Sequence, residues 1–551
     1  MKNLFVLLFI VTFCGSALSQ DGYRPYMYNG PGNGVDNARS VCMDRFGDFY
    51  VTGNSYGGSS TDMDYCTIKY SRYDGQRFLW VARFNGTGSY TDQANAIVSD
   101  IEGNVYVTGW AHMEPVGLDC GTIDWVTIKY NTDGVQQWAS VYNGPSNGQD
   151  YANAIFIDGV GNVYVTGSSQ SSAGGEDFTT IKYNNSGVQL WVARYNGPSS
   201  GDDCGRSLDV DASGNVYVCG DSYKSGQGAD FVTIKYNSAG VQQWVNRENG
   251  TGNGNDTAFV VSVDKAGNVV VTGTEKNTNQ DYLTVKYSPS GSTIWKKVYN
   301  GTGNGTDEAQ GMTLDAYDNV YVTGFSMGTS NYDYATIKYI SDGTQAWVKR
   351  YNGPANLNDK AFAMTISTKE ITGQRKYFIY VTGTSQRTSS AYDYLSIKYN
   401  PDGDTVWTKR YNSNGTGVDV PNAIAVLATY DYIYVTGTAN NDYCSVMYYP
   451  KTVTPTDNPV TGNGNQKILQ NYPNPFNPTT KIEFKVTEDA NVSIRVYDML
   501  GRVVAELVNQ KLEAGPYEVN WNASEFPSGT YFYTMEENGV KVDTKRMLLI
   551  K

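Results

Sequence analysis

The chain has 551 residues, too many for one ordinary core, so at least two domains are expected. Its 45 tyrosines, 59 glycines and 18% charged residues suit many short strands joined by tight turns better than helices. A formal charge of −13 cannot neutralise a run of phosphates and argues against a nucleic-acid partner, while an acidic surface favours cations.

Residues 1–19 read as a signal peptide: Lys2 supplies the positive start, Leu4 to Phe13 the apolar stretch, and Ala17-Leu18-Ser19 the small-residue cleavage site before Gln20. The apolar stretch is too short to span a bilayer, and no other stretch is long and apolar enough. Cys14 follows a large Phe13, which argues against lipidation. Six cysteines remain (Cys42, Cys66, Cys120, Cys204, Cys219 and Cys444), without the C-x-x-C spacing of a zinc or redox site. Buried thiols acting as small hydrophobes fit this pattern, with a Cys204–Cys219 bridge as the open alternative.

From residue 20 to 449 the chain repeats itself. Tyr-Val-Thr-Gly or a close variant ends at Gly53, Gly109, Gly167, Gly220, Gly273, Gly324, Gly383 and Gly437. An Ile-Lys-Tyr-like triplet follows each, from Tyr70 to Tyr448, and a Tyr-Asn-Gly-like triplet recurs from Tyr28 to Tyr411. A tryptophan stands four residues before seven of those last triplets, from Trp80 to Trp407. One unit shows the pattern. Ala152 to Ile157 is a small-residue strand, Asp158 to Asn162 a hairpin turn, and Val163 to Thr166 a second strand. Asp177 to Tyr183 is the third strand, and the fourth carries Trp191 and ends at Tyr195.

Four-stranded antiparallel units repeated radially make a β-propeller, with the small first strand at the crowded axis and the tryptophan outside. The expected fold is therefore all-β with eight blades, seven being the alternative. The chain begins with an outer strand near Tyr28 and ends with a third strand near Tyr448, so the N-terminal strand should complete the last blade. The motif Gly-Asn-Val-Tyr-Val-Thr-Gly with Asp-Tyr-x-Thr-Ile-Lys-Tyr resembles the bacterial propeller repeats often called seven-bladed. It is distantly similar to quinoprotein-type repeats. That resemblance implies a fold and no fixed activity.

Two aspartates recur in every unit. One precedes the first strand: Asp36, Asp92, Asp150, Asp203, Asp256, Asp307, Asp359 and Asp419. The other opens the third strand: Asp64, Asp124, Asp177, Asp230, Asp281, Asp333, Asp393 and Asp442. Strand direction puts both sets at one end, as two acidic rings. Cation binding (calcium) and carboxylate pairs for glycoside chemistry are the functional readings. Two bare carboxylates about 8 Å apart repel by roughly 2 kcal/mol at an effective dielectric near 20, so a ring of them needs local compensation. Turn-capping aspartates that accept backbone N–H bonds satisfy that need, with Asn-Gly stretches such as Asn33-Gly34 as the expected donors. The Asp-x-x-Gly-Asn turns, such as Asp211 to Asn215 and Asp264 to Asn268, lack the further acidic ligands of calcium loops and read as hairpin turns. The recurrent lysine, from Lys69 to Lys398, reads as a residue between blades or facing solvent.

The loops between second and third strands vary most and lie on the same face as the Asp rings. The second unit has the longest, holding Trp110, His112, Met113, Glu114 and Cys120. His112 is the single histidine of the chain, which excludes a multi-histidine metal centre and leaves a Ser-His-Asp triad hanging on one loop residue. No catalytic residue and no cofactor are assigned. A ligand surface formed by Trp110, His112, Glu114 and Tyr56 is the candidate site, since exposed aromatic residues on variable loops often bind.

Residues 450–467 form a Pro/Thr/Gly/Asn-rich linker, and 468–551 a small domain of about seven short strands, an immunoglobulin-like sandwich. The run from Leu469 to Pro478, the Tyr497 to Arg502 turn, Ser528-Gly529-Thr530-Tyr531 and the terminal Lys545 to Lys551 strand resemble the C-terminal sorting domain of type IX secretion cargo. The resemblance implies type IX machinery as partner, export to the outer-membrane surface of a Gram-negative bacterium or beyond, and release or attachment to surface lipopolysaccharide. The expected function is a monomeric, non-catalytic surface or secreted binding or adhesion protein with a glycan or protein ligand. An extracellular glycan hydrolase or lyase, or a quinoprotein-like oxidoreductase, is the alternative.

Overall fold

The computed structural model describes residues 23–448 and 468–551, apart from 72–77, 89, 114–121, 173, 372–373, 414–416, 429–430, 487–489, 500 and 513–514. The signal segment 1–19 and the linker 450–467 lie outside the described residues. The chain divides into two compact units, Met1–Pro450 and Lys451–Lys551.

Among the described residues the first unit holds eight four-stranded antiparallel sheets. Seven are built in chain order, as in Asp150–Ile157, Val163–Gln170, Glu176–Tyr183 and Gln189–Tyr195. In the eighth, Tyr23–Tyr28 adds to Asp442–Tyr448 with Tyr28 opposite Tyr443. Each first strand packs on the first strand of the next sheet, and Asp36–Met43 packs on Val420–Leu427, so the sheets close into a ring. Second and third strands are buried along nearly their whole length because neighbouring sheets cover both faces, whereas fourth strands are half exposed.

The recurrent residues have assignable duties. The threonines of the second and third strands pair through buried hydroxyls, as Thr166 with Thr180 at 3.0 Å and Thr272 with Thr284 at 3.0 Å. Six of the recurrent tryptophans, Trp80 to Trp347, donate the indole N–H to a turn carbonyl of the next unit, as Trp80 to Thr132 O at 3.0 Å and Trp244 to Pro289 O at 3.2 Å. The recurrent lysine reaches the same turns, as Lys235 to Pro289 O at 3.0 Å, while its ammonium lies 5.1 Å from the Tyr217 ring centre. Third-strand tyrosines bridge units as well, and Tyr443 closes the ring by donating to Cys66 O at 3.0 Å.

Every first strand carries a bulge, with one extra residue between positions three and five: Arg39, Asn95, Asn153, Arg206, Phe259, Gln310, Phe362 and Asn422. The glycine of Tyr-Val-Thr-Gly faces it. A Cβ at Gly167 would stand 1.9 Å from Tyr151 O, and one at Gly220 would stand 1.8 Å from Cys204 O. Only a residue without a side chain lets the bulged backbone lie so close.

One feature differs from the sequence reading, and the cysteines follow its buried-thiol form. The seventh unit replaces the short hairpin turn with long strands, Asp359–Ile371 and Gln374–Thr388. Cys204 and Cys219 are unbridged: Cys219 pairs with Ser207, and Cys42, Cys66, Cys204, Cys219 and Cys444 are all free. Burial raises the thiol pKa of each, leaving them inert packing residues.

The second unit holds two sheets over one core. Thr479–Val486 pairs with Gly515–Asn522, and Val503–Leu512, Ala490–Tyr497, Gly529–Glu537 and Val540–Leu549 form the other. These are six strands among the described residues where about seven are expected. Trp521, Ile494, Tyr533 and Met547 lie in the core. The Asn-Pro-rich opening is structural: Asn471 N donates to Tyr533 Oη at 2.6 Å, and Phe476 exchanges backbone bonds with the last strand.

Gly167→Ala should lower stability by about 2–3 kcal/mol in urea denaturation, whereas Gly159→Ala, whose Cβ would meet nothing within 4 Å, should stay within about 0.5 kcal/mol. Equal effects at the two sites would contradict the close approach. Cys219→Thr, which restores a hydroxyl opposite Thr233, should raise the denaturation midpoint by about 1 kcal/mol equivalent.

Candidate functional site

Register sets the two Asp rings side by side, since Asp36 faces Ser55 and Ser55 faces Asp64. Asp36, Asp92, Asp203, Asp256 and Asp307 of the first set each tie three segments together, while among the described residues Asp150, Asp359 and Asp419 bond only the incoming connection. Asp36 accepts the N–H of Gly30 at 2.7 Å and of Tyr56 at 2.9 Å, and Asp307 accepts those of Gly301 at 2.6 Å and Met327 at 2.9 Å. The donors are thus the glycine of Tyr-Asn-Gly and the end of the second strand, not the Asn-Gly stretch. Asn33, Asn147, Asn253, Asn304 and Asn356 instead occupy the left-handed region that the turn requires. Burial pushes the carboxyl of Asp92 up to about 7 and that of Asp256 up to about 6, against the pull of these backbone bonds.

The second set meets a partner that the sequence reading missed. In five units an arginine immediately before the Tyr-Asn-Gly-like triplet grips the aspartate: Arg83 with Asp64 at 2.7 Å, Arg194 with Asp177 at 3.1 Å, Arg247 with Asp230 at 2.9 Å, Arg350 with Asp333 at 2.9 Å and Arg410 with Asp393 at 3.0 Å. Arg247 also donates to Ser222 Oγ at 2.7 Å, Ser222 O at 2.9 Å and Tyr195 Oη at 3.0 Å, so it clasps two units. Where the arginine is missing, the serine goes too: Val141 accompanies Ala111, and Met27 accompanies Ala439. The fifth unit substitutes another network, with Lys296 bridging Glu248 at 3.1 Å and Glu275 at 2.8 Å.

Of the four loop residues expected to bind, the structure brings two together. The Trp110 and His112 rings lie 6.1 Å apart, with Tyr151 5.8 Å from Trp110 and Tyr90 5.3 Å from His112. His112 Nδ1 lies 2.7 Å from Thr91 O, and the backbone N–H of His112 donates to Asp92 at 2.8 Å. Tyr56 holds the equivalent place in the first unit, where its ring covers Gly32 and Gly34. Gln170 and Tyr223 cover Gly148 and Gly201 in the same way, which gives this position a structural duty. Glu114 lies outside the described residues.

A cavity of about 370 Å³ lies on the axis of the ring, lined by Arg39, Asn95, Asn153, Arg206, Phe259, Gln310 and Asn422. These are seven of the eight bulge residues. The signal in the sequence is the residue three beyond each first Asp, variable between units while its neighbours repeat. Three asparagines are held by the next first strand: Asn95 donates to Ala152 O at 2.8 Å, Asn153 to Gly205 O at 2.8 Å and Asn422 to Ala38 O at 2.7 Å. Arg206 is paired with Asp221 and lies 5.7 Å from the Phe259 ring centre. Among the described residues no group of three or more His, Cys, Asp or Glu side chains is placed to hold a metal ion.

Residues 470–551 match the family of secretion system C-terminal sorting domains, and residues 79–112 and 141–172 match the β-propeller repeat. The chain carries β-propeller repeats and a type IX sorting domain, which indicates a secreted or cell-surface protein. Among curated proteins it is similar to an uncharacterised WD repeat-containing protein of Acanthamoeba polyphaga mimivirus, 25% identical over 396 residues covering 65% of this chain. The matched stretch spans 26% of that relative's length. Among solved structures it is similar to Drosophila Plexin A in complex with Semaphorin 1b, with TM-score 0.41 and 8% identity over 78% of this chain and 87% of that one. A eukaryotic initiation factor is similar at TM-score 0.35 and 10% identity, over 68% of this chain and 88% of that one.

Arg247→Met should destabilise the protein by about 3 kcal/mol, because it leaves the buried Asp230 charge without its partner. Adding Asp230→Asn should recover about 1–2 kcal/mol, read from denaturation midpoints. A double variant weaker than the single one would show that the pair is not coupled.

Proposed function

We propose that this chain is an exported, non-catalytic binding or adhesion protein, an eight-bladed β-propeller that holds a glycan or protein ligand at or beyond the cell surface. In this reading residues 1–19 are the export signal, 20–449 the propeller, 450–467 a linker and 468–551 an immunoglobulin-like sorting domain, with surface lipopolysaccharide as the attachment point. The observation that carries it is where the units differ. Aspartate, glycine and the Tyr- and Thr-bearing strands repeat as scaffold, while the axial bulge takes Arg, Asn, Phe or Gln and the sequence between Gly109 and Asp124 is longer than its counterpart in any other unit. Variation concentrated in one cavity and in the loops beside the Asp rings, on a rigid frame, is the usual layout of a recognition surface.

The geometry favours binding over turnover. Glycoside chemistry needs two carboxyl groups set across a substrate bond. Here the ring carboxylates are engaged by backbone N–H groups and arginines, and the cavity is lined by guanidinium, amide and phenyl groups.

The test is retention of the full chain on immobilised polysaccharides and on cell-surface material, with and without calcium, alongside an assay for new reducing ends. Retention without turnover is expected, unchanged by chelation. Glycan cleavage would overturn the reading in favour of an extracellular enzyme.

A further inference from the structure

We infer that the axial cavity is a site for an oxyanion carried on a small polyhydroxylated molecule, a sugar carboxylate, with Arg39 as its charge partner. The inference deepens the binding reading above and rests on it. Of the two arginines in the ring, Arg206 is neutralised by Asp221, whereas the guanidinium of Arg39 has no ion-pair or hydrogen-bond partner among the described residues. Arg39 is exposed at the open cavity, and desolvation by the surrounding strands draws its pKa below the ordinary value. Such a group offers five donors in a planar fork that matches a carboxylate.

The rest of the lining suits the remainder of such a ligand. The amide nitrogens of Asn95, Asn153 and Asn422 are fixed by carbonyls of the neighbouring unit, which locks the side chains; the Asn95 oxygen accepts from Gln93 Nε2 at 2.8 Å, and those of Asn153 and Asn422 are left to accept from ligand hydroxyls. Phe259 supplies an apolar face. A cavity of about 370 Å³ falls at the small end of ligand sites, too small for a polymer to thread and large enough for a sugar unit. One uncompensated cation matches a monoanion better than a phosphate dianion. The net charge of −13 repels large polyanions, so attraction to this site must be local.

The test is calorimetric titration of the full chain with galacturonate, galactose and inorganic phosphate. Galacturonate should bind, with galactose about tenfold weaker or worse. Arg39→Gln should weaken galacturonate about tenfold or more and leave galactose unchanged, while Arg39→Lys, which keeps charge but loses the fork, should fall between. Galacturonate binding unchanged by Arg39→Gln, binding of phosphate alone, or uptake of none of the three probes would overturn the inference. The two proposals fail separately. A chain retained on polysaccharide that ignores galacturonate loses the cavity site and keeps the binding role, whereas a chain that cleaves glycan yet binds galacturonate through Arg39 keeps the site and loses the non-catalytic role.

Discussion

The structure depends on one close approach, repeated around the axis: a bulged first strand laid against a glycine of the second. Eight sheets meeting at a common centre crowd their innermost strands, and the bulge bends each strand there. The bulge brings a carbonyl so near the second strand that a Cβ at Gly53, Gly109 or Gly273 would sit 1.9 Å from it. That contact explains why Tyr-Val-Thr must be followed by glycine. It also decides which side chain of the first strand turns toward the axis, so the same constraint that packs the centre creates the lining of the cavity.

Outward from the centre, polar clasps take over. In most units the first Asp fastens the incoming connection to two strands of its sheet, and the Arg–Asp–Ser–Tyr network fastens one sheet to the next. Buried carboxylates are tolerable where one oxygen is met by a backbone N–H, as in Asp36 and Asp307, or by a guanidinium, as in Asp230 and Asp333. The units at Val141 and Met27 show the logic from the other side. Once the arginine is replaced by an apolar residue, the serine that it bonded becomes alanine, as a network emptied of one polar member leaves the other costly to bury.

Much of this was legible in the sequence. Landmark triplets marked the strands, the turn residues marked their order, and the strand around Tyr28 was short of a sheet just where the strand around Tyr448 was short of a neighbour. Repulsion between bare carboxylates argued for capped aspartates, though the donors named were a few residues off, because Asn33 sets the turn conformation while Gly30 supplies the N–H. What stayed hidden depended on register. A bulge adds one residue to a strand without any turn signal, so Arg39 and Asn153 read as ordinary strand positions. Arg247 was visible in front of its triplet, but its meaning lay in Ser222 and Asp230, which only strand pairing brings to it. The long strands of the seventh unit could be read from the loss of its Asp-x-x-Gly-Asn turn.

The pairing of the two ends of the ring has a consequence for timing. Tyr26 and Met447 touch across 421 residues of chain, against about 50 for the contacts that join successive units. Loop entropy makes this closure only about three doublings dearer, roughly 2 kcal/mol, so it weighs little at equilibrium. Its effect is kinetic. Seven sheets can assemble from neighbouring residues as the chain appears, but the eighth must wait for Asp442–Tyr448, the final strand of the ring. Until then Tyr23–Tyr28 has no partner strand and the inner strand of the first sheet lacks a neighbour on one side. A chain that still lacks the strand Asp442–Tyr448 therefore remains an open arc, and the arrival of that one strand is also what locks it shut.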